Sequence, residues 1–203
     1  QNIFAPLMIN MESLDRGLLY RLDYETSGVL FFAKTQHLFD QVRSDFSLKV
    51  KEKWYLAIVR GYFDKEGTWT HYLMPSEKKG RKQLVFNDLT SRKIKISKEK
   101  IKPSQLEVKR VLCHQNHSLI LVRLYTGHRH QIRAQLSFLG YPLLGDQLYV
   151  GEKSSRIFLH AFAYHLENHV KVIDDNAELF SLFFDLNSAL KVGHDMIRRS
   201  QSR

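Results

Sequence analysis

A predicted hairpin constrains the fold more than any other feature of this sequence. Residues 105–114 (QLEVKRVLCH) and 117–126 (HSLILVRLYT) both have the pattern of β-strands, and only Gln115 and Asn116 lie between them. A connection this short joins antiparallel neighbours, because parallel strands need a crossover of a dozen or more residues. The chain is therefore predicted to contain an antiparallel sheet.

Other segments add strands and helices to this hairpin. Pro75 ends one predicted strand and favours a sheet edge there, because proline cannot donate a ladder hydrogen bond. Gly140 is predicted to end a helix at position C′. We expect an α+β fold with a mixed, mostly antiparallel sheet and flanking helices. Strands are predicted at 53–63, 67–75 and 156–167, helices at 36–48 and 127–140, and a strand followed by a helix at 177–195.

Residues 76–104 differ from the rest of the chain in composition, since they are rich in lysine and arginine and poor in apolar residues. We interpret them as a basic surface excursion of strand and loop within one domain that spans residues 1–203. Two roles remain open for this excursion. It is either a solvated surface hairpin or an arm that contacts phosphates, which Lys and Arg neutralise without reading sequence.

The charge of the chain favours a polyanionic partner. Lys and Arg number 31 against 21 Asp and Glu, a formal net charge of +10, which suits nucleic acid or an anionic membrane surface. No apolar run approaches the roughly 20 residues that span a bilayer. The one cysteine, Cys113, cannot form a disulfide within the chain, which fits a cytoplasmic location. We interpret Cys113 as a small buried apolar residue.

Two charged residues, Arg21 and Asp23, lie just before the apolar run 29–33. A charge beside the core costs several kcal/mol unless it is paired. Arg133, in the first turns of the helix predicted at 127–140, is the candidate partner, and a nearby guanidinium favours the ionised carboxylate. Such a carboxylate can act as nucleophile or base toward a sugar carbon. Ordinary glycosidases use two acids, however, and only one stands out here.

Common cofactor and metal patterns are missing from the sequence. It contains neither a P-loop, nor a Rossmann glycine fingerprint, nor a nucleophile elbow. His128 and His130 are two residues apart and would not share a helix face. His160 and His165 would lie on opposite faces of one strand by alternation. We expect no metal site.

Four segments resemble motifs of the RluA-like pseudouridine synthases, in the order of that family. YRLDYETSGVLFFAKT (20–35) resembles H-R-L-D-x-x-T-S-G-x-L-L-x-A-K-T, and KWYLAIVRG (53–61) resembles K-x-Y-x-A-x-V-x-G. TGHRHQIRAQLSFLGYPLLGDQLYV (126–150) resembles T-G-R-x-H-Q-I-R-x-H-x-x-x-x-G-x-P-I-x-G-D-x-x-Y-G, and FLHAFAYHL (158–166) the closing L-H-A-x-x-L element. The resemblance implies the synthase fold, with a central catalytic cleft.

The resemblance also implies roles for single residues. Asp23 would be the catalytic aspartate, and Arg133 would pair with it. Arg21 would enter the RNA near the displaced base, Tyr55 would stack on the flipped uracil, and Leu159 would form an apolar wall of the pocket. The simpler alternatives are a turn-capping Asp23, a surface ion pair for Arg133, and ordinary packing for Tyr55 and Leu159.

The implied activity is isomerisation of uridine to pseudouridine in structured RNA, either ribosomal RNA or tRNA, without a cofactor or a metal. We expect a monomer. Arg129, Lys51 and Lys53 would be generic phosphate contacts. Asp146 is interpreted as a turn residue, since Gly-Asp is typical of turns.

Three positions depart from the family motifs, namely Tyr20, His128 and Gln135, where the motifs have His, Arg and His. Arg129 is the candidate substitute for the missing arginine. None of these departures falls on Asp23, Tyr55 or Arg133, so they bear on efficiency and substrate more than on the reaction. Two alternatives therefore remain open: a non-catalytic RNA-binding module of the same fold, and a hydrolase that releases free uracil.

The start of the chain also departs from the family. An N-K-P-x-G-like segment precedes the aspartate motif in family members, and residues 1–17 do not contain it. We therefore expect the domain to lack its N-terminal strand or strands.

Overall fold

The structure of the chain, a computed structural model, describes residues 17–44, 50–76, 82–89, 100–166, 170–174, 180–181 and 183–201. Its strands are β1 (Ser27–Gly28), β2 (Val50–Arg60), β3 (Gly67–Pro75), β4 (Gln83–Phe86), β5 (Lys102–His114), β6 (His117–Leu124), β7 (Leu159–Leu166) and β8 (Val170–Ile173). Its helices are α1 (Gln36–Ser44), α2 (Gln131–Phe138) and α3 (Leu186–Gln201), with a 3-10 turn at Gln147–Tyr149.

These strands form a single sheet in the order β1-β7-β2-β6-β5-β3-β4, and β8 pairs with β7. The β1–β7 pair is parallel, and the other pairs are antiparallel. The predicted hairpin is β5 and β6, joined at Gln115 and Asn116. The predicted mixed, mostly antiparallel α+β fold is confirmed.

The strands at the centre of the sheet bury both faces. In β2, Trp54, Leu56 and Ile58 pack on one side. The alternate residues Tyr55, Ala57 and Val59 pack on the other, as the two-residue period of a strand requires. Helix α2 covers the Tyr55 face through Ile132 and Leu136. Phe180, Phe184 and Ile197 of the C-terminal region cover the Trp54 face.

A bulge in β7 changes which side chains reach the Tyr55 face. Trp54 pairs with Ala163 but Tyr55 pairs with Ala161, so Phe162 is the extra residue. Beyond the bulge, Tyr164 is opposite Lys53 and therefore shares the face of Tyr55. The prediction that His160 and His165 lie on opposite faces is wrong, because His160 pairs with Leu56 and His165 with Glu52, on the same face.

Several strands and helices begin or end at residues other than those predicted. The strand predicted at 53–63 is β2, which begins and ends three residues earlier. The helix predicted from residue 127 begins only at Gln131, because the side chain of Gln131 accepts hydrogen bonds from Thr126 and from the His128 backbone. Gly140 does follow the C-cap Leu139, at φ +92°. Helix α1 ends at Ser44, and residues 45–48 of its predicted range lie outside the described residues.

Three further predictions are wrong. Strand β3 is not a sheet edge, because β4 pairs with it and places Gln83 opposite Pro75. Residues 180–181 and 183–185 do not form the strand predicted before the last helix. Cys113 is exposed near the end of β5 rather than buried.

The basic excursion predicted at 76–104 contributes two pieces of sheet. Strand β4 and the first residues of β5 belong to it, so part of the excursion extends the sheet rather than leaving it. Residues 77–81 and 90–99 lie outside the described residues. Residues 1–16 lie outside them as well, so the expectation that the domain lacks its N-terminal strand or strands stays a prediction. No helix in the described ranges is both long and apolar enough to cross a membrane.

Gly28 provides a test of how β1 is seated. Its φ is +111°, and a Cβ there would collide with the backbone of Ala161 on β7. Gly140 also has a positive φ, +92°, but a Cβ there would meet nothing within 4 Å. Gly140→Ala should therefore lower the free energy of unfolding by about 1 kcal/mol through backbone strain alone. Gly28→Ala should lower it by about 3 kcal/mol, since overpacking is added to that strain.

Urea denaturation of both variants measures the difference. Equal losses of stability would contradict the close seating of β1 against β7.

Candidate active site

The loop that carries Asp23 is closed by one backbone hydrogen bond and tied to β7 by another. Leu19 N–H donates to Phe31 O at 3.0 Å, and Val29 N–H donates to Ala161 O at 3.0 Å. Between these ties, Thr26 N–H donates to Asp23 O at 2.9 Å and closes a tight turn through Tyr24 and Glu25. The backbone thus presents Asp23 at the first position of a turn, where aspartate is favoured.

A side-chain contact fixes the far end of this loop. Ser27 Oγ lies 2.9 Å from His160 Nδ1, and His160 Nε2 lies 3.3 Å from Asp174 Oδ2. Burial, more than any other influence, lowers the pKa of His160. A neutral imidazole whose Nε2 faces Asp174 leaves Nδ1 to accept from the Ser27 hydroxyl. The pair therefore holds β1 against β7, four residues after Asp23.

The Asp23 carboxylate faces Arg133 and His130. Its Oδ2 lies 3.5 Å from Arg133 Nη1, and its Oδ1 lies 3.9 Å from His130 Nε2, with 26% of the Asp23 side chain exposed. His130 precedes α2 in a left-handed conformation, φ 54°, and its Nδ1 lies 3.2 Å from the Tyr149 hydroxyl. Burial lowers the pKa of His130 and the charge of Asp23 opposes that shift. The structure thus brings Asp23 and Arg133 together, as the sequence predicted.

Arg133 has a second and closer carboxylate partner, Asp146. Arg133 Nε donates to Asp146 Oδ2 at 2.6 Å and Nη2 donates to Oδ1 at 2.9 Å, a bidentate pair. Asp146 is fully buried. Burial works to lower the pKa of Arg133, but the hydrogen bonds and charge of Asp146, followed by the charge of Asp23, raise it. Arg133 is therefore a fixed cation shared by two aspartates.

Asp146 does more than the turn role that the sequence suggested. Its backbone does form a turn, since Tyr149 N–H and Gly151 N–H both donate to Asp146 O. Its side chain orients the arginine that faces Asp23. The signal for this role was the aspartate of the G-D pair in the third family motif.

One cavity of about 120 Å³ collects most of the predicted site. Asp23 and Arg133 line it together with Tyr55 and Leu159, and Arg21 lies exposed at its rim. Lys53, predicted only as a phosphate contact, also lines it. Arg129 lies instead along a neighbouring groove. The side chain of Lys51 lies outside the described part of the chain.

Three tyrosines form the inner wall of the cavity, and the sequence pointed only to Tyr55. The Tyr55 and Tyr164 hydroxyls are hydrogen-bonded to each other, and the Tyr164 ring stacks on Tyr20 with centroids 4.6 Å apart. Burial raises the pKa of Tyr55 to about 12, with the Tyr164 hydrogen bond opposing the shift and the charge of Asp23 adding to it. Tyr164 was missed because the bulge in β7, which sequence alternation does not reveal, turns it toward the site.

The three residues that depart from the family motifs lie at different positions and make different contacts. Tyr20 joins the tyrosine wall, and its hydroxyl donates to Val29 O at 2.7 Å. His128 Nε2 lies 3.0 Å from Pro103 O and links the α2 turn to β5. Gln135 is buried and binds His71 and the Ser104 carbonyl.

The described residues contain no group of three or more His, Cys, Asp or Glu side chains that could hold a metal ion. The chemistry available in the cavity is that of one partly exposed carboxylate, a fixed guanidinium, a neutral imidazole and buried phenols. Such a site can stabilise an ionised carboxylate beside a planar ring. The predicted independence of metals and cofactors stays a prediction.

Comparison with known proteins identifies the family. The sequence profile of the RNA pseudouridylate synthase family matches residues 15–138, more than half of the chain. The chain belongs to this family. The resemblance of the sequence motifs to the pseudouridine synthases is thereby confirmed.

Two relatives and one solved structure illustrate the relationship. The chain is 31% identical over 160 residues to ribosomal large subunit pseudouridine synthase D of Borreliella burgdorferi, covering 78% of this chain and 46% of that protein. It is 30% identical over 196 residues to ribosomal large subunit pseudouridine synthase C of Haemophilus influenzae, covering 91% of this chain and 56% of that protein. The chain thus spans about half the length of these relatives.

The solved structure is of human RNA pseudouridylate synthase domain containing 1, with 27% identity and a TM-score of 0.67. The match covers 81% of this chain and 71% of that one. The synthase fold predicted from the sequence is confirmed.

The buried Arg133–Asp146 pair predicts a strong effect of mutation on the stability of this protein. Asp146→Ala should lower the free energy of unfolding by about 3–5 kcal/mol, because it leaves Arg133 with only the partly exposed Asp23 as counter-charge. Asp23→Ala should cost less than about 1 kcal/mol, since its carboxylate is more exposed and lies farther from Arg133. Denaturant unfolding of both variants measures this, with the double variant as the control for coupling. A larger loss from Asp23→Ala would contradict the assignment of Asp146 as the main partner.

Proposed function

We propose that this protein isomerises uridine to pseudouridine in RNA, with the Asp23 carboxylate acting on the ribose of the target nucleotide. The observation that supports this most directly is the convergence of Asp23, Arg133 and Tyr55 on one cavity in a chain of the synthase family. The exposed fraction of the Asp23 side chain, 26%, leaves it reachable from that cavity.

The uridine leaves its stack before reaction, because its reacting atoms are inaccessible within folded RNA. Asp23 then follows one of two routes. In the first, a carboxylate oxygen bonds to C1′ while the C1′–N1 bond breaks and its electron pair leaves with uracil. In the second, Asp23 removes the 2′ proton, and the C1′–N1 bond breaks as a C1′–C2′ double bond forms.

Both routes end in the same product. Uracil turns in the cavity and its C5 bonds to C1′. The proton on C5 is then lost and N1, which left with the electron pair, gains a proton. In the first route the carboxylate leaves C1′, and in the second a proton returns to C2′. The detached base must remain enclosed while it turns, since escape would leave an abasic site. Leu159 is the apolar wall and Tyr55 the ring against which uracil stacks.

The charged residues divide between the base and the RNA backbone. The Arg133 guanidinium keeps a positive charge 3.5 Å from Asp23 and favours the ionised carboxylate that either route needs. Arg21, exposed at the rim, enters the RNA beside the displaced base. Arg129, Lys51 and Lys53 contact backbone phosphates.

Ribosomal RNA is the first substrate to assay, because the two bacterial relatives are named as large-subunit pseudouridine synthases. tRNA remains the alternative. The cytoplasmic location and monomeric state expected from the sequence stay predictions.

Asp23→Asn should reduce product formation at least about a thousandfold, because the amide is neither a nucleophile nor a base. The assay is release of tritium from RNA that carries [5-³H]uridine, since isomerisation removes the C5 hydrogen. RNA affinity should stay close to that of the wild type, because Asn has nearly the same shape. Glu25→Gln, the same change in the same loop at an exposed residue, is the matched control and should retain full turnover.

The outcomes separate the rival functions. Turnover by Asp23→Asn would refute the catalytic role. Wild-type binding without tritium release from ribosomal RNA or tRNA would favour the non-catalytic RNA-binding module. Chromatography of the products tests the hydrolase alternative, which predicts free uracil.

A further inference from the structure

Lys53 places an ammonium group inside the cavity. It lies on β2, two residues before Tyr55 and opposite Tyr164, so all three side chains share the face that carries the site. Its Nζ donates to Thr126 O at 3.2 Å. An ammonium has three N–H donors, and this carbonyl satisfies one of them.

Gly127 leaves room for this ammonium. A Cβ at residue 127 would lie 2.9 Å from Lys53 Nζ, a separation that real Cβ atoms do not show. Glycine at position 127 therefore allows the Lys53 ammonium to lie against the turn formed by residues 126–128. The position of the Lys53 ammonium thus depends on the absence of a side chain at Gly127.

His128, which lines the same cavity, lies within reach of two lysine charges. The charges of Lys102 and Lys53 both act to lower the pKa of His128, after burial, which lowers it most, and a hydrogen bond to Pro103, which opposes the shift. Burial is also what lowers the pKa of Lys53, to about 8, so the group is still mostly protonated at neutral pH. A partly buried ammonium is stabilised when an anion comes into contact with it.

A basic groove continues from the cavity at this point. It encloses about 390 Å³ and shares Gly127 and His128 with the cavity. Lys100, Lys102 and Arg129 line this groove. The cavity that contains Asp23 and Lys53 therefore adjoins a groove that carries three further basic residues.

We propose that the Lys53 ammonium, under the Gly127 turn, is an anion subsite that receives the backbone phosphate next to the flipped nucleotide. The groove lined by Lys100, Lys102 and Arg129 then takes the strand that leads away from it. RNA is the occupant that matches these features, because its phosphates repeat along a strand. The inference rests on the proposed function in that it names how the same site holds its substrate.

A structural role and a phosphate-binding role of Lys53 predict opposite effects of Lys53→Met on the stability of the protein. If Lys53 only held the fold, its removal would destabilise the protein. For the subsite proposed here, removal relieves the burial of an ammonium, so the melting temperature should rise by about 3 °C. RNA affinity should fall about tenfold, as for loss of a charged hydrogen bond.

The experiment measures binding of a fluorescein-labelled oligouridylate 12-mer by fluorescence anisotropy over a range of salt concentrations. Each phosphate contact to a single strand contributes about −0.7 to the slope of log K against log [salt]. Lys53→Met should reduce the magnitude of the slope by about 0.7. Lys65→Met, at an exposed lysine that lines neither the cavity nor the groove, removes the same charge and should leave the slope unchanged.

Gly127→Ala is the second test, because it keeps the charge and displaces it. The added Cβ contacts only the flexible end of Lys53 within 4 Å, so the variant should fold. It should weaken oligouridylate binding in the same direction as Lys53→Met.

An unchanged slope in Lys53→Met, or an equal fall in Lys65→Met, would overturn the subsite. Tritium release by the wild type is scored separately. Turnover with an unchanged slope rejects the subsite alone, and a reduced slope without turnover rejects the proposed isomerisation while the subsite stands.

Discussion

The arrangement of the site depends on one buried ion pair. Arg133 is held by two hydrogen bonds to a fully buried Asp146, at 2.6 and 2.9 Å. That pair leaves Nη1 of the same guanidinium directed at Asp23, 3.5 Å away. A lysine could not do this, because it lacks the planar fork that engages one carboxylate in two bonds while a third nitrogen faces another. The charge that faces Asp23 is therefore positioned by Asp146, a residue that does not itself line the cavity.

Around this pair, the sheet brings together segments that are distant in sequence. The Asp23 loop is held to β7 by Gly28 and by the Ser27–His160 contact. Arg133 reaches the cavity from helix α2, and Tyr55 and Lys53 reach it from β2. The bulge in β7 then adds Tyr164 to the same face. One surface thus combines a partly exposed carboxylate, a partly buried ammonium and an aromatic wall, the features that a flipped nucleotide with its phosphate would require.

Sequence patterns predicted the parts of the fold that depend on local chemistry. The hairpin at Gln115 and Asn116 and the strands β2 and β3 were predicted because strand composition is local and a short turn forces antiparallel pairing. The errors fell where tertiary contacts override local preference. Gln131 uses its side chain to fix the turn before α2, so the helix begins four residues later than its apolar pattern suggested. Pro75 could lie inside the sheet because it is the last residue of β3 and β4 covers it.

The candidate site, like the fold, was predicted only in part from the sequence. The sequence by itself determined which residue types could do the chemistry, because the motifs around Asp23, Tyr55, Arg133 and Leu159 identify a family whose members act on RNA, and those four residues do line one cavity. Only the tertiary structure decided the partners. It made Asp146 the main counter-charge of Arg133 and Tyr164 the partner of Tyr55, and it placed Lys53 as a partly buried ammonium. These outcomes depend on strand register, a bulge and burial. These quantities arise from contacts between distant segments, and no local pattern in the sequence encodes them.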